Sequence, residues 1–302
     1  MSEYHPRRAP RIETLTVRGL DHRVTRWGPG TSEPVILLHG FLDCGATWQF
    51  LADALPDTWD LAAPDWRGFG GSAWAPGGYW FADYLADLDA LLDALVPSAP
   101  ARLVAHSMGG NIASLYAGVR PARLAWLINL EGVGLPATHP DDAPARYRRW
   151  LEELRAPPRA STFDSVEALA ARLLRRSPRL GAERARFVAR AWTQPAANGR
   201  VALAADPKHR WVNPVLYRRE ETEACWREVR VPTLLVLGAE SDLAVRAGDA
   251  GWSAYYRGLL PHLETASLAD TGHMMHHEDP AGVAALVVGF AERHRRGFTI
   301  AP

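Results

Sequence analysis

Residues 103–111, with the sequence LVAHSMGGN, decide the fold of this chain. The apolar run Leu103–Ala105 predicts a buried strand, and the residues that follow the turn have the pattern of a helix. Ser107 lies in the sharp turn between the two. A turn this tight strains the backbone of its central residue, so the residues two positions before and after it must be small. Ala105 and Gly109 meet that need, and we expect the Ser107 hydroxyl to project from the edge of a sheet.

The composition is that of a globular protein of 302 residues, long enough for one large core and a smaller second domain. The 34 basic residues balance the 34 acidic ones, so bulk charge gives no reason to expect a nucleic-acid or anionic-membrane partner. No stretch has the apolar length of a membrane span, and residues 1–11 lack the apolar region of a secretory signal. The two cysteines, Cys44 and Cys225, predict reduced thiols in a cytoplasmic protein.

Short β-prone runs alternate with helical patterns on both sides of the Ser107 turn. Ile12–Val17 and His22–Trp27 predict an antiparallel hairpin at a sheet edge. Val35–Leu38 is uninterrupted and apolar, as strands buried on both faces are, and Leu61–Pro64 and Leu124–Leu130 predict further strands. Strands that alternate with helices predict right-handed crossovers and a parallel sheet.

This alternation is interrupted between residues 135 and 220, which are rich in Arg, Ala and Pro. The candidate helices there are Ala143–Leu154, Ser165–Arg176 and Ala182–Trp192. Buried strands resume with Val231–Gly238 and Leu263–Leu268. We therefore expect a core formed by residues 1–134 and 221–302, and a helical cap, or lid, formed by residues 135–220 above the carboxyl edge of the sheet.

Three polar residues follow predicted strands of the core. Ser107 follows one strand, Asp242 follows a later one and His273 follows the last. An open parallel sheet places its ligands at the carboxyl ends of its strands, so the three side chains are expected at one edge. A serine hydroxyl is a poor nucleophile unless a base, commonly a histidine oriented by a carboxylate, removes its proton during attack. The pattern predicts such a site.

The order of the three residues along the chain, Ser107, then Asp242, then His273, resembles that of the α/β-hydrolase superfamily. The resemblance covers nearly the whole chain outside the cap, and Ala105 departs from the more usual Gly. It rests on the Ser107 turn, His39-Gly40-Phe41-Leu42-Asp43, the loop Asp65–Ser72 and Asn129-Leu130-Glu131-Gly132-Val133-Gly134. It implies an α/β fold with a mostly parallel eight-stranded sheet flanked by helices and an inserted helical cap. Within the superfamily, the chain resembles capped bacterial esterases and serine hydrolase-like proteins.

The resemblance implies a catalytic role for each residue of the triad. Ser107 is the expected nucleophile, His273 the base, and Asp242 the acid that orients His273. Asp242 is preferred because Gly-x-x-Ser-Asp-Leu, residues 238–243, resembles the usual acid loop. Glu131 also follows a strand and is the alternative acid, since some members of the superfamily carry their acid at that place.

Backbone and aromatic groups complete the expected site. The N–H groups of Phe41 and Met108 are expected to form the oxyanion hole, each worth on the order of 3 kcal/mol. That function needs the backbone alone, so we expect His39 to be structural. Candidate pocket aromatics are Trp48, Trp192 and Trp211.

The favoured function is hydrolysis of a carboxylic ester of a small to medium hydrophobic substrate through an acyl-enzyme. The same triad supports lactone, thioester and carbon–carbon bond hydrolysis and perhydrolysis, and a non-catalytic small-molecule binding protein on the same scaffold is an alternative of another class. His273, His276, His277 and Glu278 cluster in sequence, but a helical His-Glu-x-x-His pattern is missing, so we expect no metal and no cofactor. A monomer or homodimer acting on a small molecule is expected.

Overall fold

The computed structural model describes residues 3–156, 158–242 and 249–294. Its central feature is a mixed sheet. The strands in the described residues are β1 (Arg11–Val17), β2 (Leu20–Trp27), β3 (Val35–Leu38), β4 (Leu61–Pro64), β5 (Ala101–His106), β6 (Leu124–Leu130), β7 (Thr162–Phe163), β8 (Thr193–Pro195), β9 (Val201–Leu203), β10 (Thr233–Gly238) and β11 (Leu263–Leu268). Eight of them form the central sheet, in the order β1-β2-β4-β3-β5-β6-β10-β11.

The central sheet is parallel except at one edge. The β1–β2 hairpin is antiparallel, and β2 pairs antiparallel with β4. The pairs from β4 through β3, β5, β6 and β10 to β11 are all parallel. This arrangement confirms the predicted fold class, an eight-stranded, mostly parallel sheet flanked by helices.

Helices cover both faces of the sheet. The helices in the described residues are α1 (Gln49–Ala54), α2 (Phe81–Leu95), α3 (Met108–Val119), α4 (Ala143–Arg155), α5 (Val166–Arg176), α6 (Ala182–Ala191), α7 (Arg219–Arg227), α8 (Asp249–Leu259), α9 (Met275–Glu278) and α10 (Pro280–Arg293). Residues of β3 alternate between two apolar clusters, with Ile36 packed on the side of α2 and α3 and Leu37 on the side of α1 and α10. Burial of both faces explains the uninterrupted apolar sequence of this strand. Among the described helices, none is long and apolar enough to cross a membrane.

Residues 135–220 are here called the inserted segment. As far as they are described, they add no strand to the central sheet. The three candidate helices predicted within it are present as α4, α5 and α6, each within two residues of its expected bounds. Strands β7, β9 and β8 form an additional small antiparallel sheet. These strands were not predicted, because two or three residues are too few to show a period of two.

His209 attaches the inserted segment to the core. Its ring is stacked between those of Phe69 and Tyr79, at centroid distances of 3.8 and 3.6 Å. Its Nε2 donates to the carbonyl oxygen of Gly68 at 3.1 Å. Burial lowers the pKa of His209 to about 3, so the ring is neutral in the folded protein near pH 7.

This depressed pKa predicts an acid-sensitive contribution of His209 to stability. In the unfolded chain a histidine titrates near pH 6.5, so between about pH 6.5 and pH 3 a proton binds the unfolded state but not the folded one. The free energy of unfolding therefore decreases as the pH is lowered through this window, by up to about 1.4 kcal/mol per pH unit from this residue. We expect His209→Gln to remove that slope.

Urea unfolding at about pH 7 and about pH 5 measures the effect. The stability lost between the two pH values should be smaller in His209→Gln than in the wild type by about 2 kcal/mol. His139→Gln, at a histidine whose side chain is 73% exposed, is the matched control and should lose as much as the wild type. Equal losses in all three proteins would show that His209 does not carry this dependence.

Candidate active site

Ser107 occupies the turn between β5 and α3. Its backbone has φ of 51° and ψ of −114°, a conformation that a residue with a side chain rarely adopts. A Cβ at Gly109 would lie 2.5 Å from the carbonyl oxygen of Leu38 and 2.7 Å from that of His39, so this position requires glycine. The strained turn predicted from the sequence is therefore present, and it is packed against the end of β3.

His273 connects Ser107 to a buried carboxylate. The Nε2 atom of His273 lies 3.0 Å from the Oγ of Ser107, and its Nδ1 lies 2.7 Å from the Oε2 of Glu131. The Glu131 side chain is completely buried, whereas that of His273 is 42% exposed. An ionised carboxylate only accepts hydrogen bonds, so Nδ1 carries the proton and Nε2 is free to accept the Ser107 hydroxyl.

The structure places Glu131, and not Asp242, against His273. Asp242 follows the end of β10 with its side chain exposed to solvent, and Leu243 of the same predicted acid loop lies outside the described residues. Glu131 directly follows β6, which adjoins β5 in the sheet. Its other carboxylate oxygen accepts the backbone N–H of Gly238 at 2.7 Å. The preference for Asp242 was wrong for this contact, because the loop resemblance carries no information about which carboxylate reaches the histidine.

The two expected oxyanion donors belong to segments that border Ser107. Met108 is the first residue of α3, where N–H groups lack an intrahelical partner. Phe41 follows Gly40, at which a Cβ would lie 3.1 Å from the Cβ of Ser107. The Phe41 side chain is 49% exposed. The resulting arrangement has a hydroxyl, a base and two backbone segments at one edge of the sheet.

His39 and Asp65 hold the surrounding loops. The buried His39 ring donates from Nδ1 to the carbonyl oxygen of Gly40 at 2.8 Å and accepts the N–H of Trp66 at 2.9 Å. Burial lowers its pKa, which keeps the ring neutral. The Asp65 carboxylate accepts the N–H of Gly45 at 2.6 Å. These contacts agree with the structural role that the sequence predicts for His39.

The three candidate pocket tryptophans lie in different surroundings. Trp48 is completely buried in the core, so it cannot line an open pocket. Trp192 donates from Nε1 to the Oδ1 of Asp43 at 2.7 Å. Trp211 is partly buried, with the Lys208 ammonium 5.9 Å from its ring centroid.

His106, a buried histidine behind His273, was missed in the sequence. His106 is completely buried and lies 2.8 Å from the carbonyl oxygen of His273 through its Nε2. Its ring centroid is 4.7 Å from that of His273 and 4.4 Å from that of His276. Burial lowers the pKa of His106 well below its usual value, so this ring is a neutral support for the backbone of His273. A histidine directly before the serine was the available signal.

Comparison with known proteins finds that the chain is similar to hydrolases. A sequence profile described as "alpha/beta hydrolase fold" matches residues 33–280. The chain is 32% identical over 129 residues to a serine hydrolase-like protein of Danio rerio, and 36% identical over 152 residues to Lipase LipV of Mycobacterium tuberculosis. These matches cover 42% and 50% of this chain. They cover 39% and 54% of the relatives, so the chain spans about half of their length or less.

A solved structure resembles the chain over a greater length. The thioesterase domain from the curacin biosynthetic pathway matches with a TM-score of 0.81 and 28% identity. The match covers 93% of this chain and 99% of that domain. The likeness therefore includes both the central sheet and most of the inserted segment.

Proposed function

The chain belongs to the α/β-hydrolase fold family, and on that basis we propose that it is a hydrolase that cleaves a carboxylic ester of a small to medium hydrophobic substrate. The observation that carries this proposal is the hydrogen-bonded series from the Ser107 hydroxyl through His273 to Glu131. The 3.0 Å contact allows His273 to remove the serine proton, which a serine nucleophile requires near neutral pH.

The proposed reaction has two halves. Ser107 attacks the ester carbonyl while His273 takes its proton at Nε2, and the buried Glu131 carboxylate stabilises the imidazolium. The N–H groups of Phe41 and Met108 bind the oxyanion of the tetrahedral intermediate. His273 then protonates the departing alcohol, which leaves an acyl group on Ser107. Water, deprotonated by the same histidine, hydrolyses the acyl-enzyme and restores the serine.

We also propose that the inserted segment is a cap over the site. Two contacts support this role, and both reach loops next to the reacting groups. Trp192 of the inserted segment donates to Asp43, two residues from Phe41, and the ring of His209 lies 6.1 Å from that of Phe41. A cap held at these points would shield the acyl-enzyme and supply apolar walls for the substrate.

The similarity to a thioesterase domain favours thioester hydrolysis as a second candidate. Thioesters react through the same acyl-enzyme, since only the leaving group differs. A ladder of p-nitrophenyl esters and matching N-acetylcysteamine thioesters of increasing acyl length separates the two. A higher kcat/KM for the thioesters at equal acyl length would replace the ester proposal with this one.

Labelling with a fluorophosphonate probe tests for the activated serine. We expect one adduct per chain, mapped to Ser107, because the probe phosphonylates a serine that a nearby base deprotonates. Ser107→Ala and His273→Ala should each abolish labelling. Ser98→Ala, which removes an exposed hydroxyl before β5, at the end of this strand opposite to Ser107, is the matched control and should be labelled like the wild type. Absence of an adduct on folded wild-type protein would favour the non-catalytic binding alternative.

A further inference from the structure

A second cluster of polar side chains lies beneath the proposed active site. Asp43, from the loop after β3, meets His276 and His277 of α9, and all three residues are buried. One potential ligand atom from each lies within 4.8 Å of the others. The cluster therefore joins two segments that are more than 230 residues apart in sequence.

The distances in this cluster suit a metal ion. The Oδ2 of Asp43 lies 3.4 Å from the Nε2 of His276 and 3.7 Å from the Nε2 of His277. Zn²⁺ binds imidazole and carboxylate at about 2.0–2.1 Å, so two ligands in a tetrahedral site are about 3.4 Å apart. The two measured separations match that value within a few tenths of an ångström.

His277 has a buried nitrogen that lacks a hydrogen bond within the described part of the chain. Its Nε2 is 3.7 Å from Asp43, beyond hydrogen-bonding distance, and it has no hydrogen bond among the described residues. A bound ion or a water molecule at this point would satisfy it.

The Asp43 carboxylate is held in the orientation that a metal ligand needs. Its Oδ1 accepts the Thr47 hydroxyl at 2.7 Å, the Trp192 indole N–H at 2.7 Å and the backbone N–H of Cys44 at 2.8 Å. These three donors fix the carboxylate and leave Oδ2 facing the imidazoles. Hydrogen bonds from neighbouring groups orient the ligands of known metal sites in the same manner.

We propose that Asp43, His276 and His277 bind one divalent transition-metal ion, with Zn²⁺ the best match to two imidazoles and one carboxylate. A water molecule is expected as the fourth ligand. The ion ties the loop that carries Phe41 to the segment that carries His273, so its role is structural.

This ligand set differs from the cluster visible in the sequence, for which no metal was expected. His273 is engaged with Ser107 and Glu131. Glu278 accepts the hydroxyl of Ser177 and the backbone N–H of Gly272. Asp43, distant in sequence, takes their place beside His276 and His277.

Zinc binding by the chelator-treated wild-type protein tests the proposal. After incubation with Zn²⁺ and desalting, elemental analysis should find one equivalent per chain. At a free Zn²⁺ concentration about 100 times Kd, Tm should rise by about 5 °C. His277→Gln should lose both the bound zinc and the Tm shift. His139→Gln, at an exposed histidine, is the matched control and should keep both.

Two further measurements test the site without removing a proposed ligand. Co²⁺ added to the wild type should produce the visible d–d bands of a four-coordinate site, and Zn²⁺ should remove them. His273→Ala should still bind one zinc, because the proposed ligands do not include that residue. Absence of bound zinc and of cobalt bands in the wild type would overturn the proposal, and so would loss of binding in His273→Ala.

Discussion

Replacing Glu131 by glutamine is expected to lower kcat by about 10⁴-fold, the effect of the equivalent change of acid to amide in a Ser-His-Asp triad. The Oε1 of Glu131 accepts the backbone N–H of Gly238 while its Oε2 accepts from His273. A glutamine that keeps its oxygen on Gly238 turns its NH₂ towards the Nδ1 of His273. That nitrogen must then be an acceptor, so the proton moves to Nε2 and the histidine can no longer take the proton of Ser107. The charge that stabilises the imidazolium is lost as well.

The matched control is Asp242→Asn, which makes the same chemical change at an exposed carboxylate after β10. We expect its kcat and KM to equal those of the wild type. Steady-state kinetics on a p-nitrophenyl ester, with circular dichroism to show that both variants fold, gives the comparison. An active Glu131→Gln together with an inactive Asp242→Asn would return the catalytic role to Asp242.

Replacing Gly118 by alanine is expected to destabilise the protein by about 3 kcal/mol. A Cβ at Gly118, in α3, would overlap the carbonyl oxygen of Cys225 in α7 and lie 2.6 Å from its carbonyl carbon. Both atoms belong to the backbone, so no side-chain rotation relieves the overlap and the two helices must separate. Because Ser107 is at the N-terminus of α3, we expect this displacement to reduce kcat too.

Gly258→Ala is the control, since Gly258 is also in a helix, α8, but a Cβ there would meet no atom within 4 Å. Alanine is the better helix former, and this substitution should stabilise the protein by about 0.5–1 kcal/mol. Urea unfolding measures both changes. If the two variants were equally stable, the close approach of α3 and α7 described above would be incorrect.

The strands of the core could be predicted closely because their physical signal is local. Val35–Leu38 and Leu124–Leu130 have the expected bounds, since burial on both faces leaves an uninterrupted apolar run. The helices α4 to α6 could be predicted from the helical pattern of their sequences and from the prolines between them. The β7-β9-β8 sheet has no such signal, because it depends on pairing between short segments that are separated along the chain.

A residue of the candidate site could be predicted only where the strand that it follows sets its position. Ser107 is fixed by the turn after β5, and His273 follows the last strand of the sheet. The partner of His273 depends instead on which of two carboxylates points inward, and that is set by the packing of β6 between β5 and β10. The meeting of Asp43 with His276 is likewise a tertiary contact, for which the sequence offers no spacing rule.

Because Glu131, which directly follows β6, contacts His273, the proposed site constrains only one of two positions near the end of β10. Gly238 must remain glycine, because a Cβ there would overlap the carbonyl oxygen of Gly272. Its N–H also donates to Glu131, which excludes proline. Four residues later, Asp242 has no catalytic duty in the proposed mechanism. Substitution of this exposed residue is therefore expected to leave the proposed triad unaltered, so related proteins can diverge, or be redesigned, at this position.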